Sequence, residues 1–206
     1  MKIVLASNNP GKLAELRAMF APLGLLLVAQ ADLGISEAAE PFHTFVENAL
    51  AKARHAAQHS GLPAVADDAG LCVEALGGLP GVDTANYATQ FGYQKGDGNN
   101  VRALLEQMRG LDNRRASLVS TLVAVRSTLD PEPLIAVGRV TGEIALEPVG
   151  SNGFGFDPVM YIPAFGKTFA QLPVAVKNAN SHRGQAARAM VELMRQCWLP
   201  DGVQRP

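Results

Sequence analysis

Apolar residues recur along this chain in short unbroken runs, separated by polar turns and by stretches with a helical period, which is the pattern of an α/β protein. Lys2-Ile3-Val4-Leu5-Ala6 predicts a buried strand, and the polar turn Ser7-Asn8-Asn9-Pro10-Gly11-Lys12 leads from it into a helix whose period is set by Leu13, Leu16, Met19 and Phe20. Leu25 to Gln30 predicts a second strand, followed by a polar segment to His43. Thr44-Phe45-Val46-Glu47 has the form of a capping box, so an alanine-rich helix is expected to about Ser60, burying Phe45, Ala49, Ala53 and Ala56. Asn48 and Lys52 share a face of that helix, a polar intrusion that points Lys52 towards a site.

The run Ala64-Val65-Ala66 reads as a buried strand that ends abruptly in Asp67-Asp68, with Gly70 able to supply a turn where the strand leaves its sheet. Leu71 to Leu76 reads as another strand, Gly77 to Gly81 as a break, and 99–108 as a helix with Val101, Leu104 and Leu105 inward. Residues 116–126 and 134–146 are two long β-type runs joined by a turn at Asp130-Pro131, expected to pair antiparallel and to project as a lobe. Gly150 to Asp157 is glycine-rich, Met160 to Ile162 predicts a short strand, and 165–176 is irregular or briefly helical. Ser181 is placed to cap a last helix that runs to about Cys197.

With 206 residues, 48% of them apolar, the chain suits one domain over 1–206 with room for a lobe. A formal net charge of −1 gives no bulk attraction to nucleic acid or anionic membrane, so an anionic ligand must be held by local groups. Cys72 and Cys197 are far apart, with no Cys-x-x-Cys pair and no secretory leader, which suggests a cytoplasmic protein without structural zinc. No apolar run approaches the ~20 residues of a membrane span.

Within this frame a few stretches carry chemistry. Ser7 to Lys12 places backbone amides, side-chain amides and a lysine at a helix start, which is an anion site or, more plainly, an Asn-capped helix. Glu40, Asp67 and Asp68 make a possible three-carboxylate set; Mg²⁺ takes one or two carboxylates with phosphates and water. Its plainer reading is a solvated Asp-Asp-x-Gly loop. Gly153-Phe154-Gly155-Phe156-Asp157-Pro158 offers an aromatic platform and a carboxylate able to accept from a heterocycle N–H, or a tight aromatic turn in the core. Lys177 and Ser181-His182-Arg183-Gly184 put donors at the start of the last helix, for a ligand or as a solvated cap.

Taken together and in order, Ser7 to Lys12, Thr44 to Ala49 with Lys52-Ala53, Ala66 to Leu71, Gly153 to Pro158 and Ser181 to Gly184 resemble the inosine/xanthosine triphosphate pyrophosphatase family over nearly the whole chain. The resemblance implies an elongated α/β fold, a mixed sheet with flanking helices and two lobes around a central nucleotide cleft. It also implies a homodimer, Mg²⁺, and hydrolysis of ITP, dITP and XTP to monophosphate and pyrophosphate. Carried over by residue, it makes Ser7, Asn8, Asn9 and Lys12 triphosphate binders, with Ala69 beside them. Glu40 and Asp68 become metal ligands supported by Asp67, Asp68 the base for the attacking water, and Lys12 and Lys52 the cations near the leaving group. Phe154, Gly155, Phe156, Asp157, Lys177, His182 and Arg183 would enclose and read the base. Asn8, Ala69 and Asn86 depart from the residues many relatives carry, which bears on individual contacts and leaves the metal set intact. Two rival readings are a house-cleaning pyrophosphatase for modified pyrimidines and a nucleotide-binding sensor without catalysis; the poised carboxylates argue against the sensor.

Overall fold

The aliphatic run Lys2–Leu5 forms strand β1, buried from Ile3 onward, and it pairs in parallel with β2 (Leu26–Ala29) on one side and β3 (Ala64–Val73) on the other. A strand apolar on both faces needs cover on both, and the helices between these strands supply it. The register sets Val4 beside Ala64 and Leu5 beside Val65. With β4 (Arg115–Val125), β5 (Leu134–Ile144), β6 (Met160–Ile162) and β7 (Lys167–Thr168), the seven strands lie in the order β2-β1-β3-β4-β5-β6-β7. The β5–β6 and β6–β7 pairs are antiparallel, so the sheet is mixed, as expected. The computed structural model describes residues 1–199. Among them, no helix is long and apolar enough to cross a membrane.

The chain divides into two compact units, the first made of Met1–Asp68, Ser120–Gly138 and the chain from Arg183, the second of Ala69–Val119 and Arg139–His182. In the first unit, helices α1 (Pro10–Phe20) and α5 (His182–Cys197) cover one sheet face, where Leu16, Phe20, Met190 and Met194 pack on Ile3, Leu5, Val65 and Leu122. On the other face, helix α2 (Phe45–Ser60) lays Ala49, Ala53, Ala56 and Ala57 against Val4, Ala64, Ala66 and Val123. Side chains this small let the helix axis approach the strands closely, so a long polar side chain on α2 can reach a strand residue. In the second unit, α3 (Asp97–Gln107) and α4 (Val174–Asn180) accompany a core that includes Leu71, Tyr87, Leu104, Met108, Phe156 and Phe169.

Several expectations change. Strand β3 does not end at the aspartate pair; it continues unbroken through Gly70 to Val73, and a 3₁₀ turn follows at Glu74–Leu76. Gly70 permits a turn without imposing one, and ladder bonds plus burial on both sides keep the strand extended. Residues 116–126 and 134–146 form neighbouring strands, as expected, but do not stand apart from the sheet: β4 lies between β3 and β5, and each residue from Ala116 to Val125 is buried. Gly81–Phe91 is a 3₁₀ helical stretch absent from the expected pattern, tied to α3 by buried Asn100, which accepts from Ala88 N at 2.8 Å and donates to Ala85 O at 3.2 Å. At α2, Thr44 accepts from Glu47 N as expected, but Glu47 accepts from the Thr44 hydroxyl, at 2.5 Å.

Candidate active site

Strand periodicity decides what the two aspartates do. Val65 and Asp67 leave β3 on the α1/α5 face, Ala64, Ala66 and Asp68 on the α2 face. Asp67 therefore meets the cations of two helix starts: Lys12 Nζ lies 3.0 Å and Arg183 Nε 3.1 Å from its Oδ2, and Ser120 donates to its Oδ1 at 2.5 Å. Arg183 also pairs with Glu15 at 2.7 Å. Burial alone would raise the pKa of Asp67, but Arg183 and Lys12 outweigh it and hold the carboxyl well below the usual range. The same pairing raises the pKa of Arg183 against its burial. Asp67 is a fixed anion.

Asp68 stands in a different field. Lys52 Nζ bridges Asp68 Oδ1 at 2.6 Å and Glu40 Oε2 at 2.8 Å. Burial is the strongest influence on Asp68 and pushes its carboxyl up to about 6, although Lys52 pulls the other way; the charge of Glu40 adds to the rise. At Glu40 burial is outweighed by Lys52 and the pKa falls, while Asp68 and Glu40 together raise that of Lys52 against its burial. Asp68 Oδ2 is buried without a hydrogen-bond partner. A hard dication such as Mg²⁺ takes carboxylate oxygens, so this orphaned atom and Glu40 fit its donor preference. Among the described residues no three Asp, Glu, His or Cys side chains converge. Asp67 does not join the other two, because it faces the opposite side with both oxygens engaged. Glu40 and Asp68 are the two carboxylates that Lys52 brings together here.

The turn before α1 is built as its sequence suggests. Asn9 caps the helix by accepting from Lys12 N at 3.1 Å, Pro10 takes the first helical position, and Ser7 Oγ accepts from Asn9 N at 3.2 Å. Asn8 accepts from buried Gln30 at 3.2 Å. Ala69, half-buried, and Asn86, exposed, both fall in the second unit.

In that second unit, buried Lys177 pairs with Asp157 at 2.6 Å, and its ammonium sits 4.8 Å from the centre of the Phe154 ring. Asp157 Oδ2 also accepts from Phe154 N at 2.9 Å, and Gly155 N donates to Asp97 at 2.7 Å. His182 is buried at the start of α5. Phe156 corrects the expected platform: beyond the left-handed turn at Gly155 it is 3% exposed and packs in the unit's core. Phe154 alone of the two is partly open.

Sequence reading missed Glu15, Ser120, Gln30 and Asp97 as partners of expected site residues. A signal existed for Ser120, a hydroxyl within an otherwise apolar strand, and for Glu15, a charge one turn beyond Lys12.

Known proteins match the chain along nearly all of its length. The chain is 80% identical to the dITP/XTP pyrophosphatase of Albidiferax ferrireducens, over 97% of this chain and all of that protein. Among solved structures, a HAM1 protein from Coxiella burnetii is 41% identical with a TM-score of 0.88, covering 96% of this chain and 100% of that one. The Staphylococcus aureus Ham1 protein is 34% identical with a TM-score of 0.84, covering 95% and 99%. A model of the Ham1 family matches residues 3–193, and with these relatives along its whole length the chain belongs to the Ham1 family.

Proposed function

We propose that this protein hydrolyses the non-canonical purine nucleoside triphosphates ITP, dITP and XTP to the monophosphate and pyrophosphate, with Mg²⁺. The observation that carries the reading is the contrast between neighbouring carboxylates: Asp67 held ionised among cations, Asp68 raised to about 6 with one buried oxygen unpartnered. A general base works best when its pKa lies near the working pH, and in the metal-free protein burial lifts that of Asp68 towards it. Its carboxylate takes a proton from the water that attacks the α-phosphorus. Lys12 and Lys52 offset charge that develops on the departing pyrophosphate, the step at which fixed cations accelerate phosphoryl chemistry. Asp67, by holding Lys12 and Arg183, keeps both cations oriented. Glu40 and Asp68 would hold the metal ion, which when bound neutralises phosphate charge and polarises the scissile group.

Base choice follows from donors. The Lys177 ammonium, steered by Asp157, suits the 6-oxo group of hypoxanthine or xanthine, an acceptor, whereas the 6-amino group of adenine is itself a donor and offers it no acceptor. The relatives' printed name, dITP/XTP pyrophosphatase, supports the same substrates. The test is pyrophosphate release from ITP, dITP, XTP and ATP, each with Mg²⁺ or with EDTA. We expect release from the first three, at least about tenfold less from ATP, and none with EDTA. Equal rates with ATP, or full activity in EDTA, would overturn the reading.

A further inference from the structure

Helix α2 meets the irregular segment that precedes it along one line of side chains. Asn48, Lys52 and His55 stand at i, i+4 and i+7, one face of the helix. Asn48 Oδ1 accepts from Phe42 N and its Nδ2 donates to Phe42 O, both at 3.1 Å. Lys52 reaches Glu40, and His55 Nε2 donates to Ser36 O at 3.0 Å. The contacts 42, 40 and 36 descend as the helix positions ascend, so the segment runs antiparallel along α2.

Asn48 is 1% exposed, whereas Phe42 is 42% exposed. The helix thus grips the backbone of Phe42 and leaves its ring to solvent. Pro41 fixes its own φ and restricts Glu40 to extended conformations. Holding Phe42 at both its N–H and C=O therefore fixes the direction in which Glu40 leaves the chain, two residues away.

We propose that Asn48 is a positioning residue for Glu40, setting that carboxylate opposite Asp68 for metal binding; the proposal rests on the assignment of Glu40 to the metal site. A buried amide kept only for stability would act the same way whether or not Glu40 were present. A positioning residue would not, because its effect passes through Glu40.

The experiment is a double-mutant cycle of Asn48→Leu and Glu40→Gln, read by Mn²⁺ affinity from electron paramagnetic resonance and by the Mg²⁺ concentration that half-saturates ITP turnover. Asn48→Leu should weaken Mn²⁺ binding about tenfold or more, the usual cost of losing an outer partner of a metal ligand. In the Glu40→Gln background the same change should cost less than about twofold. Equal losses in both backgrounds, or no loss in the wild type, would overturn the proposal. Should Asn48→Leu not fold, Phe42→Pro, which removes the amide proton that Asn48 accepts, carries the same expectation. Phe42→Ala, which keeps the backbone bonds, should leave affinity unchanged; a Phe42→Pro protein that binds Mn²⁺ like Phe42→Ala overturns it too. If Glu40→Gln alone changes neither Mn²⁺ affinity nor turnover, the assignment of Glu40 to the metal falls, a failure distinct from that of Asn48.

Discussion

Because successive side chains of a strand leave on opposite faces, a single peptide bond separates the anion that pairs with two helix starts from the carboxylate proposed to do the chemistry. The two aspartates should therefore fail differently when made amides. Asp67→Asn leaves Arg183 and Lys12 beside a neutral group in a buried network and should cost about 3–5 kcal/mol of folding stability, read from urea denaturation. Asp68→Asn should unfold at nearly the wild-type midpoint, since Lys52 keeps Glu40 as a partner, yet lose about 10²–10⁴ in turnover of ITP. Near-normal turnover by Asp68→Asn would remove it from the mechanism, and an undiminished urea midpoint in Asp67→Asn would remove the structural role given to its neighbour.

Elements bring these residues together through their periods. The alanine stripe of α2 and the alternation of β3 together deliver Lys52 to Asp68, while α1 and α5 deliver Lys12 and Arg183 to Asp67. The Gly153 turn of the second unit is equally constrained: its φ is 79°, and a Cβ there would collide with the Asp157 carboxylate that pairs with Lys177. Gly153→Ala should lower stability by about 1–3 kcal/mol through the left-handed backbone and the displaced ion pair, seen as a reduced urea midpoint; an unchanged midpoint would show that the turn adapts freely. What was legible in the sequence is local. The strand-turn-helix of Lys2 to Phe20 and the Thr44 cap were readable because each is settled within a few residues. The end of β3 is not legible because only its neighbours in the sheet decide whether Gly70 bends; the pairing of β4 with β5 is legible, but not their place inside the sheet, because burial of β4 depends on what covers it. Ser120 and Glu15 escaped because their partners lie 53 and 168 residues away.

At the scale of the whole molecule, the buried network of the first unit ties stability to pH. The folded pKa of Asp67 lies below its unfolded value of about 3.9, so its contribution is full above that range and is lost as pH falls towards the folded value. Urea midpoints from pH 7 to 3 should fall below about pH 5 in the wild type and fall less steeply in Asp67→Asn; parallel curves would assign acid sensitivity to other carboxylates. In the proposed mechanism, water activated at Asp68 attacks the α-phosphorus of a 6-oxo purine triphosphate. Hydrolysis of ITP with Mg²⁺ in ¹⁸O-water, read by mass spectrometry of both products, locates the bond that breaks. Label is expected in the inosine monophosphate and not in the pyrophosphate; label in the pyrophosphate, or orthophosphate as the first product, would rule out attack at the α-phosphorus.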